Sequence, residues 1–394
     1  MAAPESGAIR RAASPVNDVR RAAAPEPTEG VALCLSGGGY RAMLFHAGAL
    51  ARLNELGWLP KLDRVSSVSG GSITAGVLAL AWEDLQFEDG TAANLRELVI
   101  DPLHSLAGKT VDVRAIVLRA LGPGSIGMGV AAAYRRHLFK RATLQDLPQR
   151  PRFVFNATSL QSGVLRRFSK PYAWDYRVGK IPDPQIEVAV AVAASSAFPP
   201  VLSPLVLRVA PDAHVPGTGD DNDGDEPNLE SPPYTTRLVL TDGGVYDNLG
   251  LETAWHGHRT ILISDGGGRL GPKQRPRAFW PLQLFRVLSV VDSQVRSLRK
   301  RQAIDAFKGG LRAGVYWGIR TNIAHYEVAD ALPAPRTQTI ELAQIKTRLG
   351  RMSRVRQERL VNWGYAVCDA GMRAHVIDGE APPPTFPYPE AGVG

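Results

Sequence analysis

Two strand-turn-helix units follow one another near the start of the chain, and they constrain the fold more than any other feature. The apolar run VALCLSGGG ends in Gly37-Gly38-Gly39, and apolar residues at helical spacing follow it. The short run RVSSVSGG ends in Ser69-Gly70-Gly71 and precedes the helical pattern SITAGVLALAWEDL. Tandem units of this kind predict a parallel sheet. We therefore expect an α/β fold with a mostly parallel central sheet and helices on both faces.

Composition bounds the class of protein. A chain of 394 residues with 44% hydrophobic residues is long enough for one large domain. Its two cysteines form no CxxC pair and no disulfide framework, which favours a reducing compartment. We find no apolar stretch of about 18 residues and no signal-peptide pattern. These features predict a cytoplasmic protein. A net charge of +8 attracts polyanions such as anionic lipid headgroups.

Chemistry-bearing residues stand where the predicted strands end. Two later apolar runs, TRLVLTDGG and RTILISDGGG, each end in an Asp-Gly-Gly turn that begins at Asp242 and at Asp265. In open parallel sheets the ligand crevice lies at the carboxyl ends of the strands. We therefore expect these two aspartates and Ser69 to share one edge of the sheet.

Ser69 has the setting of a nucleophile elbow, a sharp strand-to-helix turn that projects a serine hydroxyl. The usual pattern is G-x-S-x-G, and this chain has Ser67 at the first glycine and Gly71 at the second. The three glycines at 37–39 offer backbone N–H groups that can hold a negatively charged oxygen. Arg41 is positioned to support that loop or to add positive charge. A tight strand-to-helix connection alone would also explain the glycines.

A serine nucleophile needs a base, and the histidines are poorly placed to supply one. His258 stands at the amino end of its predicted strand, and His46 lies inside the first helix, where an imidazole that is either solvated or satisfied within the core is expected. Asp242 and Asp265 remain as rival carboxylate bases. Either one can also be a loop carboxylate that caps backbone N–H groups.

The set of motifs resembles the patatin-like phospholipase family. LSGGGYRA is similar to its oxyanion loop with arginine, VSGGS to its serine elbow, and TDGGVYDNLG to its catalytic aspartate turn. AASSAFPPVLSP, residues 193–204, is similar to a stretch between them. The resemblance covers about residues 30–268. Ser67 in place of glycine departs from the pattern.

The resemblance implies the following chemistry. Asp242, followed by Gly243 and Gly244, takes the proton of Ser69, and an acyl-enzyme forms and is hydrolysed. Gly37, Gly38, Gly39 and Arg41 serve the oxyanion hole. No histidine, metal or other cofactor takes part. The expected reaction is hydrolysis of carboxylic esters in lipids, including phospholipids and lysophospholipids.

Composition and motifs also divide the chain into segments. We expect a disordered tail at 1–29, a catalytic domain at 30–275 with an acidic insertion at 210–235, a helical extension at 276–381 packed on that domain, and a Pro-rich tail at 382–394. The acidic insertion lacks the glycine spacing of a calcium loop and is interpreted as a solvated loop.

A basic amphipathic segment bears on partners. Residues 284–302 place apolar residues on one helical face and basic residues on the remainder. Such a helix can lie on an anionic membrane surface, or it can pack on the core with its basic face in solvent. We expect a lipid substrate, possible peripheral membrane contact and no specific nucleic acid, since the basic residues lack interleaved aromatics. The oligomeric state is not predicted.

Two other classes of function stay open. Gly37-x-Gly39-x-x-Ala42 fits a loosened dinucleotide-binding pattern, although a serine elbow ends the second strand where an acidic ribose ligand would be expected. The chain could also be a catalytically silent relative that binds lipid or a partner protein.

Overall fold

A computed structural model describes residues 27–111, 126–218, 229–268, 270–276 and 278–394. Within them, ten strands join in one mixed sheet. The strands are β1 (Thr28–Leu35), β2 (Leu62–Ser67), β3 (Arg152–Ser159), β4 (Leu165–Ser169), β5 (Tyr172–Asp175), β6 (Gly179–Pro182), β7 (Leu205–Arg208), β8 (Arg237–Asp242), β9 (His258–Asp265) and β10 (Ala313–Gly318).

The sheet has a parallel centre and antiparallel additions. Its order is β10-β9-β1-β2-β3-β4-β5-β6, and the first five strands in this order pair in parallel. β4, β5 and β6 continue the sheet as an antiparallel meander, while β8 pairs antiparallel with both β3 and β7. The mostly parallel central sheet is confirmed.

The main helices are α1 (Gly39–Glu55), α2 (Gly70–Ala81), α3 (Asp101–Ala107), α4 (Ile126–Tyr134), α5 (Val188–Ser195), α6 (Gly244–Asp247), α7 (Leu251–Trp255), α8 (Trp280–Lys308), α9 (Arg336–Gln344) and α10 (Arg354–His375). They lie on both faces of the sheet, as predicted. Because side chains alternate along a strand, Leu33 and Leu35 of β1 enter the large core with α1, α2 and α10, whereas Ala32 and Cys34 enter a smaller core with α7 and α8.

The last long helix packs on the first one. A Cβ on Gly48 of α1 would overlap the Val361 carbonyl, and a Cβ on Gly364 of α10 would overlap the Phe45 carbonyl. Glycine on both helices therefore permits their close approach. Arg52 of α1 and Asp369 of α10 form a buried ion pair of 2.7 Å across the contact.

Three predicted segments differ from the structure or lie partly outside the described residues. The expected helical extension at 276–381 contains β10, which extends the main sheet, and the sequence reading missed this strand. The predicted tail at 1–29 lies outside the described residues up to residue 26, and β1 already begins at Thr28. Residues 219–228 of the acidic insertion also lie outside them. The division into domains remains a proposal. Among the described residues no helix is long and apolar enough to span a membrane.

Candidate active site

Ser69 occupies a strained turn between β2 and α2. Its φ of 52° and ψ of −118° are sparsely populated by residues other than glycine. The next two residues must be small because a Cβ on Gly70 would overlap the Gly39 carbonyl and one on Gly71 would overlap the Leu35 carbonyl. The chain thus presents the Ser69 side chain at the tip of a tightly packed elbow.

A serine from another part of the chain holds this turn. The Ser69 backbone N–H donates to Ser195 Oγ at 3.0 Å, and Ser195 Oγ donates to the Asn156 carbonyl at 2.6 Å. Ser72 Oγ lies 2.9 Å from Ser195 Oγ and donates to Ser67 Oγ at 3.0 Å. Ser67 therefore belongs to a buried hydroxyl network below the elbow. Ser195 falls in the AASSAFPP block, and sequence reasoning assigned it no role.

The strand that carries Asp242 runs in a direction that the sequence did not predict. Strand β8 is antiparallel to β3, so its end does not share the direction of the parallel strand ends. β2 and β8 run toward each other along the same edge of β3, with Ser67 opposite Phe155 and Asp242 opposite Ala157. The expectation that Asp242 ends a strand parallel to that of Ser69 was wrong. The two strand ends nevertheless meet.

The Asp242 carboxyl is buried and accepts a hydrogen bond from the backbone. Its Oδ1 accepts the Gly244 N–H at 2.7 Å. Burial raises its pKa to about 7, while hydrogen bonds from the Gly244 N–H and the Ser69 side chain act to lower it and the charge of Asp292 adds to the rise. A carboxyl with this pKa can accept or release a proton near neutral pH. Ser69 lies close enough to this carboxyl to contribute to its pKa.

Asp265 differs from Asp242 in its surroundings. Its Oδ1 accepts the Ser36 hydroxyl at 3.2 Å and the Gly267 N–H at 2.9 Å, and its Oδ2 accepts the Tyr316 hydroxyl at 2.8 Å. Burial acts to raise its pKa, but the Arg296 guanidinium and these hydrogen bonds bring the pKa below the ordinary value. Asp265 is thus an ionised, fully engaged carboxylate, which suits a structural role.

The glycine turn brings backbone N–H groups to the elbow. The Gly37 N–H donates to the Asn248 carbonyl at 3.1 Å and is occupied. In the described part of the chain, the N–H groups of Gly38, Gly39 and Gly70 have no acceptor. Gly38 and Gly39 have φ values of 151° and 59°, which favour glycine. These three N–H groups are the candidates for stabilising an oxyanion.

Arg41 ties the glycine turn to its neighbours. Its Nε donates to the Gly266 carbonyl at 3.1 Å, and its Nη1 donates to the Ile345 carbonyl. Burial lowers its pKa to about 10, so the guanidinium stays charged at neutral pH. These contacts support the loop and add positive charge beside Gly38.

Asn248 lies between the two glycine turns. Its Oδ1 occupies the space that a Cβ on Gly37 or on Gly244 would need. A Cβ on Gly37 would also stand 3.1 Å from Ser69 Cβ. The side-chain amide therefore contacts both the oxyanion turn and the turn after Asp242. The DNLG that follows the aspartate motif was noticed in the sequence, but its asparagine was not predicted as a site residue.

Neither His46 nor His258 has Ser69 among its hydrogen-bond partners in the described part of the chain. His46 Nδ1 lies 2.8 Å from Ser264 Oγ and its Nε2 lies 2.9 Å from the Ser36 carbonyl, and burial lowers its pKa to about 4. It is a neutral core histidine, which is one of the two expected settings. His258 lies at the amino end of β9 with its Nδ1 3.3 Å from the Ala254 carbonyl.

One family model matches the chain. The family model Patatin, described as patatin-like phospholipase, matches residues 33–255. No curated protein sequence matches the chain. A structure of human GIVD cytosolic phospholipase A2 in complex with methyl gamma-linolenyl fluorophosphonate is similar at 16% identity and a TM-score of 0.48, over 88% of this chain and 59% of that one.

Two further structures are similar. Another structure of human GIVD cytosolic phospholipase A2 has 16% identity and a TM-score of 0.44, over 67% of this chain and 48% of that one. VipD from Legionella pneumophila has 14% identity and a TM-score of 0.35, over 89% and 67%. The chain spans less than two thirds of the length of both phospholipase structures.

Proposed function

The chain belongs to the patatin-like phospholipase family, whose model covers more than half of it, and from this premise we propose that it hydrolyses carboxylic esters of lipids through a Ser69-Asp242 dyad. Family membership supports lipid acyl hydrolysis in general. The observation that carries the specific proposal is that two strand ends meet along one edge of β3 and bring a strained serine to a buried aspartate whose pKa is raised to about 7. The neighbouring Asp265 is held ionised by other partners and is not the base.

Acylation begins with the Ser69 hydroxyl. As Oγ forms a bond to the ester carbonyl carbon, its proton passes to the Asp242 carboxylate. The carbonyl oxygen gains the negative charge and accepts hydrogen bonds from the N–H groups of Gly38, Gly39 and Gly70. The N-terminus of α2 adds a favourable dipole, since α2 begins directly after Ser69. Each such donor typically contributes about a hundredfold to a thousandfold to the rate.

Collapse of the tetrahedral intermediate completes the first half. The bond to the alcohol oxygen breaks, and Asp242 returns its proton to that oxygen. The alcohol leaves as a lysophospholipid or other deacylated product, and the acyl group stays on Ser69. Water then attacks the acyl carbon while Asp242 takes its proton. Ser69 leaves as an alkoxide and regains the proton, and a fatty acid is released.

The substrate class follows from the family and from the site chemistry. We propose a lipid ester, with phospholipids and lysophospholipids as the first candidates, and neither a metal nor another cofactor is part of the mechanism. We further propose that the protein works in the cytoplasm, with peripheral contact to an anionic membrane surface and no specific nucleic-acid partner.

Hydrolysis of a soluble chromogenic acyl ester tests this proposal. We expect activity and fluorophosphonate labelling in the wild type, loss of both in Ser69→Ala, and loss of hydrolysis in Asp242→Asn. Asp265→Asn, compared at a temperature where all variants are folded, is expected to keep hydrolysis. A wild type that neither hydrolyses esters or phospholipids nor takes the label would instead be a silent relative that binds lipid.

A further inference from the structure

The amino-terminal half of α8 exposes large apolar side chains to solvent. Trp280 is 70% exposed and Phe279, directly before the helix, is 63% exposed. The next turns of the helix add further side chains that are about half exposed: Leu284, Val287, Leu288, Val290 and Val291. A soluble protein rarely leaves such a continuous apolar strip in water unless the strip has a partner. We refer to Phe279, Trp280 and these five residues as the apolar strip.

The sequence that leads into the strip is basic. The sequence contains no Asp or Glu between Asp265 and Asp292, whereas it contains five basic residues there: Arg269, Lys273, Arg275, Arg277 and Arg286. Lys273 and Arg275 are exposed in the loop before the strip. Asp292 follows the last residue of the strip and is half-buried, so the exposed charges of the preceding loop are cationic. An apolar surface that follows such a loop is complementary to an anionic lipid surface, since its apolar side chains enter the headgroup region and the cations contact the headgroups.

The carboxyl end of the strip lies near the candidate active site, since the charge of Asp292, the residue directly after the strip, acts on Asp242. Helix α8 packs against α6, which begins at Gly244, two residues after Asp242. Three more exposed apolar residues belong to segments that touch Asp242. Val245 is 49% exposed on α6, and Phe198 and Val201 are 58% and 51% exposed just after Ala197, whose carbonyl accepts the Asp242 N–H at 3.0 Å.

The helix that carries the strip is anchored at its other end. Arg296 contributes to the charge balance of Asp265 and donates to the Gly268 carbonyl, and Lys300 lies 4.4 Å from the ring centroid of Tyr316. Ala303 is fully buried in the smaller core. The carboxyl-terminal half therefore fixes α8 to the sheet, and the apolar strip lies on the exposed amino-terminal half.

We infer that the apolar strip, together with Phe198, Val201 and Val245, is the surface by which this protein seats on an anionic membrane. This inference rests on the proposed function, because it supplies a route by which a lipid acyl chain passes from the bilayer to Ser69 without crossing water. Trp280 and Phe279 enter the headgroup region, and Lys273 and Arg275 contact anionic headgroups. Attraction by these cations weakens with salt, whereas insertion of the apolar side chains does not.

Vesicle sedimentation tests the inference separately from catalysis. All proteins carry Ser69→Ala, so lipid is not consumed, and vesicles consist of phosphatidylcholine alone or of phosphatidylcholine with phosphatidylglycerol. We expect the parent to bind the mixed vesicles at least about tenfold better than the neutral ones, and its binding to fall as salt rises. Trp280→Gln and the double variant Leu284→Gln, Leu288→Gln are expected to lose at least about tenfold in binding to mixed vesicles.

Leu311→Gln is the matched control. Leu311 is 73% exposed in the loop after α8, near the amino end of β10. Because β10 is parallel to the central strands, this is the end of the sheet opposite the dyad. We expect Leu311→Gln to bind mixed vesicles like the parent. The inference is overturned if the parent does not bind mixed vesicles, if the strip variants bind as well as the parent, or if those variants change the molecular mass of the protein in solution, which would assign the strip to a second copy of this chain. Hydrolysis of the soluble ester by the Ser69 enzyme reports on the proposed function independently of every one of these outcomes.

Discussion

Ser195 Oγ accepts the backbone N–H of Ser69, so a residue at the end of α5 holds the nucleophile in a backbone conformation that serine rarely adopts. The same oxygen donates to the Asn156 carbonyl and lies within hydrogen-bonding distance of Ser72. The elbow is thus fixed by two segments that are far from it in the sequence, the end of α5 and strand β3.

Ser195→Ala should lower kcat by roughly fivefold with little change in KM, because losing one hydrogen bond of about 1 kcal/mol loosens the reacting serine without touching the bound lipid. Steady-state kinetics on a soluble ester measures this split. Ser169→Ala is the control, since Ser169 is also fully buried but its Oγ has no partner among the described residues. An equal loss in both variants would mean that Ser195 acts through overall stability alone.

The rate should depend on ionisation of Asp242. Because its pKa is raised to about 7, the ionised base forms as the pH rises through that value. We expect kcat/KM on a neutral ester to increase with pH, with a midpoint near 7, and to level off above it. A profile that is already flat from pH 5 upward would contradict a buried aspartate base.

The same carboxyl links stability to pH. Its native pKa lies above the ordinary value of 3.8, so its contribution to stability is present below about pH 4 and is lost as the pH rises through 7. Asp242→Asn removes this loss. Above pH 7 the variant should exceed the wild type in free energy of unfolding, by up to roughly 4 kcal/mol, and the difference should shrink toward acid pH. Denaturant unfolding at several pH values measures it.

Asp292 on α8 should influence the pKa of Asp242. Its negative charge contributes to the raised pKa of Asp242, so Asp292→Asn is expected to move the midpoint of the pH-rate profile to lower pH. Asp305→Asn makes the same chemical change near the far end of the helix, where the side chain is exposed, and should leave the midpoint in place. An unchanged midpoint in Asp292→Asn would remove this residue from the electrostatics of the dyad.

Gly38→Ala should disable the glycine turn. A Cβ there would stand 2.8 Å from the Ala42 Cβ and 2.9 Å from the Gly266 carbonyl, at a φ of 151°. Displacing the turn moves the Gly38 and Gly39 N–H groups, and we expect kcat to fall about a hundredfold to a thousandfold. Gly257→Ala, where the nearest atom is 3.6 Å away, should retain activity. Circular dichroism confirms that both variants are folded.

Local sequence determined much of the site. The apolar runs that end in glycine predict β1, β2 and their helices, because strand pattern, turn chemistry and helical periodicity are properties of neighbouring residues. The elbow at Ser69 and the glycine turn at 37–39 follow from the same local rules. Reasoning from these residues left Asp242 and Asp265 as equal candidates, and only the family resemblance favoured the first.

The tertiary structure decided what depends on residues far apart in the chain. It set the antiparallel direction of β8, which brings Asp242 to Ser69 along an edge of β3, and it placed Ser195 under the elbow. It also separated the two aspartates, since Asp242 is buried near another acid while Asp265 faces Arg296 and Tyr316. Strand direction, burial and charge environment arise from long-range packing, and a motif does not encode them because identical Asp-Gly-Gly turns meet different neighbours once the chain is folded.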